Sequence, residues 1–392
     1  MKKKLIVGAL VASLTITVAA TPAYAAVASW GLDRIDGVID GSYSVPYTGA
    51  GVTAYVLDTG VNFNDTGFGG RASGDLDCHG HGTHVAGIIG SSQFGVAPGA
   101  KIVSIKVASC SGGVVSKDLV AGIDRVIAMN KGPAVANISI TIGKDSAVDA
   151  AIDRLYKAGI LPVVAASNWN TDACKYSPSG VANAFTVSGI NKNDQRTTNA
   201  SWGNCVDIFA PGGLIDSEDW QRPDAYKTMT GTSMATPHVV GVAALYLEKN
   251  PKATPAQVAY SLKNGALAGV VVDAKSANGN YLLNTSFLTS SVPTPEIIAP
   301  IVYEIPAKPS SPSGALANPG YKIVWKAPAN ADKAGIIGYK IEYSTNNKNW
   351  TTTTTTGVET SLPIKATGYY KVTAIGQAGL SLTSLTSRVT IK

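Results

Sequence analysis

Gly231-Thr232-Ser233-Met234-Ala235-Thr236-Pro237-His238 sets one serine among small residues at the start of a long apolar run. The run predicts a helix with Pro237 in its first turn, where a missing N–H is tolerated because first-turn N–H groups have no helical partner. Ser233 then stands where unpaired backbone N–H groups point outward and the helix dipole favours negative charge. Such a serine has two readings. It caps a structural helix, the commoner role of Ser or Thr before an apolar run, or it is a nucleophile whose oxyanion product is held by those N–H groups.

Two upstream stretches favour the nucleophile. Ala54-Tyr55-Val56-Leu57-Asp58-Thr59-Gly60 is an apolar, strand-like run ending in an aspartate, and His79-Gly80-His81-Gly82-Thr83-His84-Val85-Ala86-Gly87 sets histidines before a helix of small residues. Serine attack on an amide needs a base within hydrogen-bond reach, an acid that holds the base in one tautomer, and donors for the oxyanion. Around these motifs, the β-like runs 52–57, 102–107, 134–140 and 160–165 alternate with helix-like segments 117–129 and 147–157. That alternation predicts an α/β fold with a mainly parallel sheet covered on both faces. Sites in such sheets gather at the C-terminal strand ends, where Asp58 and Asn168 fall.

In the order Asp, His, Ser, the three stretches resemble those of subtilisin-like serine proteases. Trp30-Gly31-Leu32-Asp33-Arg34-Ile35-Asp36 is similar to the mature start of the proteinase K and aqualysin branch, and the resemblance runs from Trp30 to about Leu283. It implies the three-layer fold of that family and an endopeptidase acting through an acyl-enzyme on polypeptides. Residue by residue it implies that His81 is the general base and then acid, Asp58 its orienting carboxylate and Ser233 the nucleophile. Asn168 and the Ser233 N–H are the oxyanion donors, and Ser139, Ile140, Thr141, Ala166 and Ser167 bind substrate. His84 and His238 are expected to be helix residues packed near the site, and His79 to lie in an exposed turn.

The chain starts with Lys2, Lys3 and Lys4, an apolar run to about Ala20, and Ala23-Tyr24-Ala25, the pattern of a secretory signal over residues 1–25. A secreted, monomeric protein with no membrane span after signal removal is expected. Cys78, Cys110, Cys174 and Cys205 suit an oxidising compartment, and sequence alone allows three pairings. Their spacing favours 78–110 with 174–205, and it resembles the two disulfides of aqualysin. A zinc site at Cys78, His79, His81 and His84 is the alternative, but it lacks the paired Cys spacing and helical His motif of zinc proteins.

Loss of Lys2, Lys3 and Lys4 lowers the net charge from +6 to +3. Residues 26–289 carry 19 basic and 21 acidic side chains, whereas 308–392 carry 10 and 3, so the basic excess is C-terminal. That excess suits a cell surface or anionic polymer. No nucleic-acid motif accompanies it. The expected domains are a peptidase domain over 26–288, a Pro-rich linker over 289–307 and a β-sandwich over 308–392. Trp325, Gly338-Tyr339-Lys340-Ile341-Glu342-Tyr343-Ser344 and Tyr370-Lys371-Val372-Thr373-Ala374 make this last segment resemble a fibronectin type III module.

The family resemblance also implies structural Ca²⁺, held by Asp207 and the carbonyls of Ala182 and Ala184, and no organic cofactor. Oxygen ligands of this kind suit Ca²⁺. A second site near Asp33, Asp36 and Asp40 is a weaker expectation. Three features depart from the family pattern. Only residues 26–29 separate the signal from Trp30, where a folding propeptide is usual, so poor folding of the isolated chain is expected. Ser139-Ile140-Thr141-Ile142 replaces the usual Ser-Leu-Gly-Gly, and Ser167 replaces a glycine. Both add atoms around the first specificity pocket, which predicts small or medium side chains on the acyl side of the scissile bond rather than large aromatic ones. The alternative function is a subtilisin-like surface-binding protein with weak or no hydrolysis.

Overall fold

The computed structural model describes residues 26–289 and 306–391, apart from 28, 224, 277–278, 318–319, 335, 357, 377–378 and 382. The signal segment 1–25 and most of the 289–307 linker lie outside the described residues. The chain divides into two compact units, one on each side of the boundary between Pro295 and Glu296.

The first unit is built on a sheet of nine strands: β1 (Thr53–Asp58), β2 (Ala72–Gly74), β3 (Lys101–Lys106), β4 (Ala134–Ile138), β5 (Leu161–Ala165), β6 (Phe185–Ile190), β7 (Ile208–Pro211), β8 (Leu267–Ala268) and β9 (Tyr281–Leu282). Their spatial order is β8-β9-β7-β6-β5-β4-β1-β3-β2, and every pairing is parallel except β8 with β9. The inner strands β1 and β4 to β7 are almost wholly buried because helices cover both faces.

The helices are α1 (Trp30–Ile35), α2 (His81–Gly90), α3 (Ser116–Met129), α4 (Ser146–Lys157), α5 (Thr232–Lys249) and α6 (Pro255–Asn264). Residues of α2, α5 and α6 join one apolar core, and those of α3 and α4 join a second with Leu57, Ile105 and Ile138. Three layers result. The sequence located α3 and α4 to within a residue of their observed starts. Asp145, which caps α4 by accepting from the Ala147 and Val148 N–H groups, accounts for its sharp N-terminus.

The expectation for Pro237 is corrected. Helix α5 begins at Thr232, so Pro237 lies inside the helix rather than in its first turn. A proline there removes the N–H that would bond the carbonyl four residues back, which is that of Ser233. The structure replaces the lost donor: Ser139 Oγ donates to the Ser233 carbonyl oxygen at 2.9 Å. Asn137 Nδ2 in turn donates to Ser139 Oγ at 3.0 Å, orienting the hydroxyl.

Both disulfides are present, Cys78–Cys110 and Cys174–Cys205. The first uses the thiol that the zinc alternative needs. Among the described residues no group of three or more His, Cys, Asp or Glu is placed to hold a metal ion. No described helix is long and apolar enough to cross a membrane.

Among the described residues, the second unit is all-β except for one short helix, Ala331–Ala334. Strands Ser313–Leu316, Tyr321–Val324 and Ser361–Ile364 form one antiparallel sheet. Thr351–Thr356, Ile336–Ser344, Gly368–Gly376, Gly379–Leu380 and Ser387–Val389 form the other. Ile323 and Trp325 pack with Tyr339, Ile341, Tyr370 and Val372 in one core, with the Trp325 and Tyr339 rings edge-to-face at 5.1 Å.

Candidate active site

Asp58 ends β1 and His81 begins α2, on neighbouring layers. Asp58 Oδ1 lies 2.7 Å from His81 Nδ1 and accepts the Thr59 N–H at the same distance. Asp58 is 1% exposed, and its Oδ2 is buried without a hydrogen-bond partner. Gly82 is needed directly after His81, because a Cβ there would stand 2.1 Å from the Gly60 carbonyl oxygen. The small residues of the histidine motif thus let the helix start press against the end of β1.

A residue that the sequence reading passed over supports this junction. Asp77 Oδ1 accepts from Thr59 Oγ1 at 2.9 Å and from the His79 and Gly80 N–H groups at 2.9 and 3.0 Å. Its Oδ2 accepts from the Thr83 N–H and hydroxyl. Thr59 Oγ1 also accepts the Gly82 N–H at 2.9 Å. Burial pushes the Asp77 carboxyl up, but the donors from Gly80, Thr83 and His79 outweigh it and hold it below its ordinary value. Its one signal in the sequence is an aspartate four positions before the motif histidine.

Burial alone would lower the His81 pKa. The charge and hydrogen bond of Asp58, with a further contribution from the Asp77 charge, reverse this and leave it above 6.5. His84 and His238 behave oppositely. Both are fully buried, and burial lowers each to about 4. His84 Nε2 approaches the Lys227 and Ile215 carbonyls, and His238 Nδ1 the Met234 carbonyl, so both serve packing, as expected. His79 is exposed, in the turn before α2.

Ser233 is the second residue of α5. Its Oγ lies 3.4 Å from the Ser139 carbonyl oxygen. Asn168 follows β5, and its Oδ1 accepts the Thr232 N–H at 2.9 Å and the Thr232 hydroxyl at 3.2 Å. With the oxygen so fixed, the amide nitrogen is the free end. Asp58, His81, Ser139, Ile140, Thr141, Ser167, Asn168 and Ser233 line one cleft of about 240 Å³, together with Trp169.

Ala166 differs from expectation. Its side chain is fully buried in a core with Ile190 and Phe209, away from the residues that line the cleft. Ser167 has φ +91°, a conformation that L-residues rarely adopt and glycine accepts, at a cost of about 1–3 kcal/mol. Its Oγ is 2.6 Å from that of buried Ser201, so the extra atoms turn inward rather than across the pocket. Thr141 Oγ1 donates to the Ala165 carbonyl at 3.2 Å.

Asp207 stands away from the cleft, just before β7. Its Oδ2 accepts the Thr186 N–H at 2.9 Å, and its Oδ1 lies 3.8 Å from Lys263 Nζ. Burial raises its pKa to about 6 despite both neighbours. A carboxylate joined by backbone carbonyl oxygens is a donor set that suits Ca²⁺, whereas the partners seen at Asp207 are the Thr186 N–H and Lys263 Nζ. Lys263 competes for the same oxygen.

Residues 49–287 match the Subtilase family, well over half of the 392-residue chain. The chain is 45% identical over 268 residues to the alkaline serine exoprotease A of Vibrio alginolyticus, a match covering 65% of this chain and 50% of that protein. It thus spans half the length of that relative. It is 44% identical to an extracellular serine proteinase of Thermus sp. strain Rt41A, covering 66% of this chain and 67% of the relative. A solved structure of a cold-adapted subtilisin-like serine proteinase matches with a TM-score of 0.65 and 44% identity, covering 66% of this chain and 99% of that one.

Proposed function

Because the chain belongs to the Subtilase family, we propose that it is a secreted serine endopeptidase using Asp58, His81 and Ser233. The carrying observation is the 2.7 Å contact of Asp58 with His81 in a cleft that Ser233 and Asn168 also line. In this reading neutral His81 takes the Ser233 proton as Oγ attacks the peptide carbonyl, and Asp58 stabilises the resulting imidazolium. The Asn168 amide and the Ser233 N–H hold the oxyanion. His81 then gives its proton to the leaving amine, and water repeats the sequence on the acyl-enzyme. The substrate backbone pairs with residues 139–141 by strand addition, with small or medium side chains preferred on the acyl side. Labelling of Ser233 by an organophosphorus probe, lost in Ser233→Ala together with peptide cleavage, tests the reading. Absence of both labelling and cleavage in the native chain returns the surface-binding alternative.

The proteinase K branch is supported by the start of the motif region at Trp30 and by the two disulfides. Export is supported by the signal-like residues 1–25 and by relatives named as extracellular. The C-terminal unit reads as a fibronectin type III-like sandwich. Tyr370 Oη donates to the Ala366 carbonyl at 2.7 Å, the kind of tyrosine corner found in such sandwiches. Its basic surface suits an anionic polymer. Asp207, with the Ala182 and Ala184 carbonyls, is the proposed Ca²⁺ site, where the ion supplies stability rather than chemistry.

A further inference from the structure

Trp169 is 53% exposed, directly beside Asn168, and its indole lines the same cleft as Thr141, Ser167 and Ser233. The backbone that carries it is pinned on both sides. The Ser167 carbonyl accepts the Ser201 N–H, the Asn170 N–H reaches the Asn199 carbonyl at 2.8 Å, and Arg196 Nη1 donates to Asn170 Oδ1 at 3.1 Å. Tyr176 meets the indole edge-on at 4.7 Å. A large apolar ring therefore stays in water on a fixed loop, at a mouth where substrate must lie.

The pocket wall beside it is already satisfied. The Thr141 hydroxyl is engaged by the Ala165 carbonyl and the Ser167 hydroxyl by Ser201, and none of Thr141, Ala165, Ser167 and Trp169 is charged. A polar or charged substrate side chain entering here would lose water and find no partner. An aliphatic side chain would cover the indole and gain the burial of both surfaces.

We infer that Trp169 is a specificity-determining residue. It favours acyl-side residues with an aliphatic side chain long enough to reach the indole, such as Leu or Met, over Ala. The inference rests on the endopeptidase reading above and extends it to a substrate class.

The test uses the full chain and matched peptides that differ only in Ala or Leu before the scissile bond. Trp169→Ala is expected to lower the Leu/Ala ratio of kcat/KM about tenfold, the scale of discrimination available to an apolar pocket. Trp169→Phe is expected to keep the ratio within about threefold of the native value, because a ring remains. If Trp169→Ala does not fold, the graded pair Trp169→Phe and Trp169→Leu decides the matter by the same ratio. A ratio that Trp169 substitutions leave unmoved, or an equal fall for both peptides, overturns the inference; equal loss would mean that Trp169 only supports its loop. A native chain that cleaves both peptides and is labelled at Ser233, with an unmoved ratio, sinks this inference alone. A native chain that neither cleaves nor is labelled sinks the endopeptidase reading and this inference with it.

Discussion

His81 answers to two carboxylates, Asp58 in direct contact and Asp77 through its field, and both raise its pKa. The base must be neutral to accept a proton, so a raised pKa moves the onset of activity to higher pH. The rising limb of kcat/KM is expected to have its midpoint above about 6.5 and to persist into alkaline pH. Asp77→Asn removes one of the two negative charges, so the midpoint should move down. A pH–rate profile checks this, and a limb that stays put in the variant separates Asp77 from His81. Asn168→Ala is expected to lower kcat by about a hundred- to a thousandfold with a smaller change in KM. Single-turnover kinetics would show it, and a loss confined to KM would remove Asn168 from the oxyanion site. The residues proposed to carry this chemistry stand out in the sequence because each lies in a short motif of small neighbours. Asp77, the inward turn of the Ser167 hydroxyl and the burial of Ala166 do not, because their partners Thr83, Ser201 and Phe209 are set by tertiary folding.

At the scale of elements, residues 139–141, which follow β4, meet helix α5 through the Ser139 hydroxyl at the Ser233 carbonyl and through Ser233 Oγ at the Ser139 carbonyl. Ser139→Ala leaves both the Ser233 carbonyl and Asn137 Nδ2 short of a partner, a loss of about 1–3 kcal/mol. Pro237→Ala returns a helical N–H to that carbonyl, so the Ser139 loss should shrink in the double variant by about 1 kcal/mol. Urea unfolding in a Ser233→Ala background, which prevents self-cleavage, measures the cycle; strictly additive losses would reject the link. Helix and strand positions were readable from periodicity and apolar runs. The place of Pro237 was not, since the helix start moved back to Thr232 once Asn168 Oδ1 accepted the Thr232 N–H.

For the whole molecule, the two buried histidines weaken the folded state in acid. His84 and His238 have folded pKa values of about 4 against an unfolded value near 6.5, so the stability they confer is complete above 6.5 and is lost as pH falls towards 4. Both groups therefore make stability fall as pH drops across that window. A urea midpoint that stays flat from pH 6.5 to 4 would contradict it. The proposed calcium ion would act on the same quantity. Chelation is expected to lower the melting temperature, and Asp207→Asn to remove the difference between chelated and calcium-loaded protein. Equal melting of the native chain with and without chelator would exclude the Asp207 site. The α/β alternation and the change to short strands after residue 308 were visible in the sequence, whereas the pairing of cysteines rested on spacing until Cys78–Cys110 and Cys174–Cys205 were seen to join.

The bond from Ser139 to the Ser233 carbonyl spans 94 residues of chain. Helix α5 can wind locally, but its first turn keeps an unanswered carbonyl until the end of β4 has docked beside it. The first turn that carries Ser233 is therefore fully hydrogen-bonded only when residue 139, just past the end of β4, is in place. For a chain proposed to cut polypeptides, completion of the proposed cutting site is thus tied to completion of the sheet beside it. Pro237 makes that coupling necessary, because an N–H at its position would let the helix satisfy the Ser233 carbonyl by itself.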